Sequence, residues 1–349
     1  MDPLLYYLLY QVFIAILAIE IGVLFFFVLA VIVERIASSY LSNKSCEKKK
    51  KITFILNSHL ENKTLYNPKK KYKDFNDHSN LLSIMEAFNH RINEADWEML
   101  KKAVASRYLL PKARKWMTSF FWIKRNFAAR CFALEPLIED EKSILSLIDD
   151  PIFLVRSLAS HAAIQLDSKE GIMKTLLHMS QETGYAHYRY RDILLHGSKN
   201  AFLWIEEIAE KKKRTSIHLA CLEVLAGTTI TLPLPFLEDD LASKNSNVRL
   251  ATLKVLNRHP QKNSEKILFK CLKDPEEDVR AEAAIGLENF SSEETLKQLK
   301  IALKDSSIKV RLQAGTTLKK FGEVGREILM HQDEKQSRDI AKYVLEFCD

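Results

Sequence analysis

The stretch Leu272-Lys-Asp-Pro-Glu-Glu-Asp-Val-Arg-Ala-Glu-Ala-Ala-Ile-Gly-Leu287 contains a Val-Arg pair that returns at a fixed interval along the chain. The same pair stands at Val155-Arg156, Val248-Arg249 and Val310-Arg311, so that successive arginines are 93, 31 and 31 residues apart. Because 93 is three times 31, one repeat register covers about the last 200 residues. An internal period of roughly 20 to 50 residues is typical of solenoid proteins.

The same interval predicts three further units, at Lys124-Arg125, Ala186-His187 and Ile217-His218, and the last two lack the arginine. Clear units carry an apolar segment on either side of the arginine, as at residues 296–303 and 314–318. Apolar positions three and four apart are typical of an amphipathic helix, and an intervening Asp-Pro or Asp-Ser separates two helices. Each unit is therefore predicted to be a helix pair, and the chain an all-α solenoid.

The quoted stretch resembles the short bacterial HEAT-like repeat of the type named after phycobilisome lyases. Five units share the pattern, and their arginines are Arg125, Arg156, Arg249, Arg280 and Arg311. The resemblance covers roughly residues 120–349, with the best repeats at 236–330. It implies an α-solenoid of HEAT-like helix pairs with a 31-residue period, and it favours binding over catalysis, since most such repeats bind.

The repeated arginines admit two interpretations, a surface stripe for binding or an internal ladder of ion pairs. The resemblance implies that the arginine pairs with an aspartate that lies between the two helices of its own repeat or of the adjacent repeat. Aspartates stand six residues before three of the arginines. We therefore predict a structural ladder of Arg125, Asp150, Arg156, Arg249, Asp274, Arg280, Asp305 and Arg311.

The N-terminal segment is predicted to be a membrane anchor. Residues 4–33 are apolar except for Gln11, Glu20 and the tyrosines, and no Lys or Arg precedes Arg35. About 20 apolar residues suffice to cross a bilayer as a helix. The segment is too long for a secretory signal and is preceded by Asp2, so we expect it to remain uncleaved. Glu20 indicates either an intramembrane contact to another helix or an ion, or a protonated carboxyl tolerated in a long tilted helix.

Positive charge follows the anchor and predicts its orientation. The net charge is +7, and residues 44–73 hold ten lysines against two glutamates. The positive-inside rule then places the N-terminus outside and the rest in the cytoplasm, as a single-pass protein of the inner membrane. Lys48, Lys49, Lys50 and Lys51 are predicted to contact anionic lipid headgroups. The five cysteines, an odd and scattered set, are predicted to be free thiols in a reducing compartment.

Composition divides the rest of the chain. Residues 34–80 are polar and lysine-rich and are predicted to be a cytoplasmic linker with one short helix at 52–60. Helical periodicity returns at residue 81, so the solenoid is predicted to span residues 81–349, with 81–120 as its N-terminal cap. Terminal units of a solenoid have to cover an open end of its core.

A second basic segment, residues 101–130, has nine Lys or Arg and no acid, interleaved with aromatic residues. This combination could bind single-stranded nucleic acid by stacking and phosphate contacts. The apolar spacing is mostly helical, however, which favours packing in the repeats or at a membrane interface. Contact with a protein partner is the intermediate possibility, and no nucleic-acid partner is predicted.

The sequence carries no recognisable catalytic pattern. It lacks GxGxxG, a phosphate-binding loop, GxSxG and HExxH, and no CxxC accompanies its ten histidines. We therefore predict that the protein is not an enzyme and uses no cofactor, metal or small-molecule substrate.

Residues 310–325 and 337–346 resemble the closing unit of a group of bacterial proteins with one N-terminal membrane helix and a cytoplasmic HEAT-like domain. Genes of this group often lie beside those of membrane glycosyltransferases and response regulators. The resemblance implies a scaffold or adaptor for a membrane-associated protein, accessory to a glycosyltransferase in envelope or exopolysaccharide assembly. The alternatives are a subunit of a transport or secretion machine that uses Glu20 and, less favoured, a lyase.

The two units without arginine are the best candidates for recognition, because the repeat constrains their side chains least. Around His187 stand several large polar and aromatic residues. We predict that Tyr188, Tyr190 and Arg191 contact the partner.

Overall fold

The computed structural model describes residues 3–61, 72–89, 95–213, 215–229, 237–261 and 263–348. Within these ranges the secondary structure is entirely helical, which confirms the predicted all-α class. The chain divides into two compact units, Met1–Ala113 and Arg114–Asp349. The division therefore falls well after residue 81, where the sequence predicted the solenoid to start.

The first unit contains one very long helix and several short ones. They are α1 (Pro3–Glu61), a 3-10 turn (Lys73–Asn76), α2 (His78–Asn89), α3 (Ala95–Val104), a π-helical turn (Ala105–Leu109) and α4 (Leu110–Trp116), which continues across the division. Its core includes Trp97 and Phe75, both fully buried. The ring of Phe75 packs edge-to-face on Tyr108, with 5.3 Å between ring centroids.

Residues 34–61, expected to form a linker, are instead the second half of α1. Ile52 and Leu56 are fully buried although lysines surround them in sequence. Their four-residue spacing makes one apolar face in an otherwise polar helical segment, and α1 packs against α2. Lys48 Nζ lies 2.8 Å from Asp77 Oδ2, while Lys49, Lys50 and Lys51 are exposed. Residues 62–71 of the expected linker lie outside the described residues.

Among the described residues, one helix is long and apolar enough to cross a membrane. It is α1, whose portion Glu20–Glu61 includes a stretch of mean hydropathy 2.3 that is not buried by the rest of the protein. Glu20 lies exposed on this helix, and the side chains of residues 4–16 lie outside the description.

The second unit is a succession of fifteen described helices. They are α5 (Trp122–Leu134), α6 (Glu141–Ile148), α7 (Phe153–Gln165), α8 (Lys169–Gln181), α9 (Gly184–Leu195), α10 (Lys199–Lys211), α11 (Ser216–Leu225), α12 (Leu237–Leu241), α13 (Ser246–Arg258), α14 (Ser264–Cys271), α15 (Glu277–Gly286), α16 (Glu293–Ala302), α17 (Ile308–Lys320), α18 (Glu323–Met330) and α19 (Lys335–Phe347). Between α17 and α18 the chain turns at Gly322, whose φ of 67° favours glycine.

The helices of this unit form two layers. The odd-numbered helices α5 to α19 contact one another in chain order, and each even-numbered helix packs against an odd-numbered neighbour. Every register arginine or histidine lies near the start of an odd-numbered helix. Contacts between successive helix pairs are the organisation of an α-solenoid.

In six of the seven units a small residue stands three positions after the register residue and allows the odd-numbered helices to pack closely. This position is fully buried in the regular units, as Ala128, Ala159, Thr252, Ala283 and Ala314. In the His187 unit the same position is Tyr190, also fully buried. A phenol ring thus fills a core position that the other units give to a much smaller side chain.

Candidate binding site at the interrupted arginine ladder

In a regular unit the arginine joins two successive turns. Arg280 donates from Nε and Nη2 to the two carboxylate oxygens of Asp305, at 2.8 and 2.9 Å. Its Nη1 donates to the main-chain carbonyls of Asp274 and Pro275, at 2.8 and 3.0 Å. The carboxylate partner is 25 residues later, and the nearer carbonyls are six and five residues earlier. We call an arginine with its later aspartate a rung.

Three rungs have this geometry, Arg125–Asp150, Arg249–Asp274 and Arg280–Asp305. The aspartate six residues before an arginine therefore offers its carbonyl to that arginine and its carboxylate to the arginine of the preceding unit. Each such aspartate also accepts a hydrogen bond from the amide two residues later, as Asp305 does from Ser307. The ladder thus fixes the turns as well as the stacking of the units.

The rungs are charged at neutral pH. Burial raises the pKa of Asp305, but hydrogen bonds from Arg280 and from the Ser307 amide outweigh it, so the net pKa lies below its ordinary value of 3.8. The same balance lowers the pKa of Asp150 and Asp274. Because the guanidinium groups are hydrogen-bonded inside the protein and largely buried, the regular rungs stabilise the fold and offer no surface for recognition.

The ladder changes partners at Arg156. Its Nη2 donates to Glu182 Oε1 at 2.9 Å, and its Nε donates to the Tyr190 hydroxyl at 3.1 Å. At the other end, Arg311 donates to the carbonyls of Asp305 and Ser306, while its buried Nε has no partner among the described residues. Residue 336, where a regular rung would place the aspartate, is an exposed glutamine.

Histidines replace the arginine in the next two units, and each makes a different pair. His187 Nε2 lies 2.8 Å from Glu223 Oε2, and its Nδ1 lies 2.9 Å from the Met179 carbonyl. His218 Nε2 lies 2.9 Å from Asp240 Oδ2, and its Nδ1 lies 2.9 Å from the Ala209 carbonyl. Both nitrogens of each ring thus lie within hydrogen-bond distance of an oxygen.

The His218 pair leaves the space of a regular rung unfilled. The residue 25 positions later is Ser243, whose hydroxyl accepts from the Asn245 amide as the regular aspartates do, but it brings no carboxylate for a rung. The imidazole is shorter than an arginine and turns to Asp240 on α12. As a result a cavity of about 920 Å³ lies between Lys213, Thr215 and Ser216 on one side and residues 242–245 on the other, and we call it the His218 cleft.

Polar and charged groups of both signs line the His218 cleft. At its rim Lys213 Nζ lies 3.0 Å from Asp239 Oδ2, and Lys244 lines the opposite turn. His218 is fully buried at the floor and Asp240 nearly so. The cleft is therefore suited to side chains that exchange hydrogen bonds and ion pairs. Among the described residues no group of three or more His, Cys, Asp or Glu is placed to hold a metal ion.

The structure separates the three residues predicted to contact a partner. The side chain of Tyr188 is exposed. Tyr190 is fully buried and bonded to Arg156, so the prediction that it contacts a partner is wrong. Arg191 is half-buried, with its guanidinium against Gly227.

The His218 cleft was not predicted from the sequence, although the sequence carries a signal for it. Arginine and aspartate stand 25 residues apart in all three regular rungs. The corresponding position is Ser243 for His218 and Lys212 for His187, so both partners of a rung are missing together. This joint loss marks the interrupted part of the ladder.

Comparisons with known proteins agree with this repeat architecture. A sequence model of HEAT repeats matches residues 234–319. The bilin biosynthesis protein MpeU of Synechococcus sp. (strain WH8020) is 37% identical over 89 residues, which are 24% of this chain and 30% of MpeU. The chain thus matches under a third of the length of that curated relative.

Two solved structures are also similar to this chain. An engineered protein has 16% identity and a TM-score of 0.34, with coverage of 86% of this chain and 98% of its own. Human deoxyhypusine hydroxylase has 13% identity and a TM-score of 0.28, with coverage of 86% and 97%. At these TM-scores neither structure adds to the argument. Residues 234–319 match HEAT repeats, and the helix pairs that continue their register back to Arg125 make the second unit an α-solenoid of HEAT-like helix pairs.

Proposed function

We propose that this HEAT-repeat protein is a non-catalytic scaffold that binds a protein partner through the His218 cleft. The observation that carries the proposal is the loss of both members of a rung where the stacking itself continues. Helices α9, α11 and α13 contact one another in order through the interruption. The fold thus accommodates the missing rung, and the cleft opens to solvent between charged, polar and apolar side chains. Solenoids use such surfaces for binding.

We further propose that α1 tethers the scaffold to a membrane. A tether raises the effective concentration of the solenoid toward membrane-bound partners without any new contact. The exposed Lys49, Lys50 and Lys51 suit anionic headgroups, whereas Lys48 has Asp77 as a partner. Cytoplasmic orientation, the role of Glu20 in a transport or secretion machine and the association with a glycosyltransferase stay predictions.

Site-specific crosslinking in cells tests the partner proposal. A photoreactive residue at position 244 should capture a reproducible protein, because Lys244 lines the His218 cleft. The matched control is position 275, which is 31 residues later and occupies the same place in a regular turn. Equal capture at both positions, or none at 244, would contradict the proposal.

A lyase-type activity is the alternative that the match to MpeU favours, since that protein is described as a bilin biosynthesis protein. Its test is direct. Purified protein mixed with a free bilin would show a shifted visible absorbance and transfer of the pigment to an acceptor protein. The scaffold proposal predicts neither change.

A further inference from the structure

Four consecutive large apolar side chains stand in solvent at the start of the second unit. Phe120, Phe121, Trp122 and Ile123 are 92, 62, 45 and 65% exposed. The ladder holds this turn in place, because Arg125 Nη1 donates to the carbonyls of Ser119 and Phe120, both at 2.9 Å. These side chains are therefore presented to solvent by a fixed backbone. A cluster of this kind marks an interaction site.

The repeat extends this cluster along the edge formed by the turns. Ile123, Leu154 and Tyr185 are separated by 31 residues and are 65, 47 and 75% exposed. Ile152 repeats the position of Phe121 and is 36% exposed. The rings of Phe153 and Tyr185 approach to 6.0 Å between centroids, so these neighbouring turns touch. We call residues 120–123, Ile152, Leu154 and Tyr185 the apolar stripe.

At the register position of Ile123 the apolar side chains are confined to the first three units, whereas the exposed Ile308 repeats the position of Trp122 in the last. In the remaining four, the position of Ile123 is taken by Ser216, Asn247, Asp278 and Lys309. A core position would stay apolar in every unit of a regular solenoid. The change from apolar to polar along one register position therefore indicates a local surface function and not a need of the fold.

The charges around the stripe favour an anionic surface. Lys124 Nζ lies 5.3 Å from the centroid of the Phe121 ring and 5.8 Å from that of Trp116, and Lys115 is exposed. The neighbouring acids Asp149, Asp150 and Glu182 are paired with Lys174, Arg125 and Arg156, respectively. Aromatic and aliphatic side chains flanked by lysines are the composition of segments that lie in the headgroup region of a bilayer.

We propose that the apolar stripe inserts into the interfacial region of an anionic lipid bilayer. The side chain of Phe120 projects almost fully into solvent. Lipid acyl chains can surround a projecting side chain of any shape, whereas a protein partner would need a pocket that fits it. The proposal rests on the membrane tether of the proposed function, since the tether keeps the stripe near lipid.

Lipid quenching in nanodiscs tests the proposal on the full-length chain. A polarity-sensitive fluorophore is placed at Ile123→Cys, at the matched position Asn247→Cys, or at Val28→Cys within α1. The accessible native cysteines Cys46, Cys271 and Cys348 are replaced by serine in all three proteins. The nanodiscs contain either phosphatidylcholine alone or added phosphatidylglycerol, with brominated acyl chains as the quencher.

We expect a blue shift and loss of fluorescence at position 123 in the anionic discs, a weaker loss in neutral discs, and neither at position 247. Substituting serine at the preceding Phe120, Phe121 and Trp122 should abolish the effect at 123 while the helical circular dichroism stays unchanged. Quenching at position 28 without quenching at position 123 would overturn the proposal and leave the membrane tether intact. This result is expected if the apolar stripe binds a protein instead of lipid. No quenching at either position would overturn the tether as well, whereas capture at position 244 would still report on the His218 cleft.

Discussion

The guanidinium of Arg280 illustrates what a regular rung contributes at the scale of single residues. Its side chain and that of Asp305 are each 13% exposed, and the two form a bidentate pair. Removing one member of a nearly buried pair leaves the other charge without compensation, which costs more than the pair itself contributes.

We expect Arg280→Ala to lower the free energy of unfolding by about 3 kcal/mol, because it strands the Asp305 carboxylate and two carbonyls. The matched control is Lys309→Ala, which removes an exposed pair with Asp278 whose two side chains are 54% exposed. An exposed pair of this kind contributes about 0.5 kcal/mol. Chemical denaturation monitored by circular dichroism measures both, and equal losses would contradict the structural role of the rungs.

The rungs also make a prediction about acid. Asp150, Asp274 and Asp305 have pKa values below 3.8 in the folded protein. At pH values between the folded and the unfolded pKa, the unfolded state therefore binds more protons than the folded state. Their stabilisation is complete above the unfolded pKa and is lost as the pH falls through the lower folded values. The free energy of unfolding should therefore fall on acidification below about pH 4. Arg280→Ala should show a smaller loss over this range, and an unchanged pH dependence would contradict the account.

The two histidines differ in how much the fold depends on them. The His218 side chain is fully buried and its partner Asp240 is 8% exposed, whereas His187 and Glu223 are 23 and 35% exposed. We expect His218→Ala to destabilise the protein by about 3 kcal/mol and His187→Ala by about 1 kcal/mol, as for buried and partly exposed pairs. Thermal and denaturant unfolding of the two variants provide the comparison. A larger loss for His187→Ala would contradict it.

At the scale of elements, the 31-residue period was sufficient to predict helix pairs, since an apolar stripe at helical spacing has few alternatives. The period did not predict that Tyr190 is buried. An aromatic residue at a position that is small in the other units suggested a surface side chain, but Tyr190 lies in the core. Nor did composition distinguish a linker from a helix at residues 34–61. In that segment two buried side chains, Ile52 and Leu56, pack against the rest of the first unit although many lysines surround them in sequence.

The His218 cleft could not be predicted from such sequence patterns, for a physical reason. It arises from the length of one side chain and from the choice of Asp240, three residues before the position that a rung would use. Ser243 keeps the turn because its hydroxyl accepts from the Asn245 amide. The cavity is thus a product of tertiary geometry, although the joint loss of arginine and aspartate is visible in the sequence once the 25-residue spacing is known.

At the scale of the whole molecule, the ladder explains how a solenoid can lose a rung and keep its fold. Each unit contacts mainly its neighbours, so the cost of one irregular rung stays local. Two histidine pairs replace the missing arginines, a buried one at His218 and a partly exposed one at His187. The interruption changes the surface, where a cleft lined by polar and apolar side chains takes the place of a filled turn.

The triple variant His218→Arg, Ser243→Asp and Asp240→Asn tests this account most directly, because it restores both members of the rung inside the His218 cleft without leaving the Asp240 carboxylate unpaired. We predict that its unfolding midpoint is equal to or higher than that of the natural protein, and that the photoreactive residue at position 244 no longer captures the partner. A variant that folds equally well and still captures the same protein from position 244 would contradict the claim that the interrupted rung is the binding site.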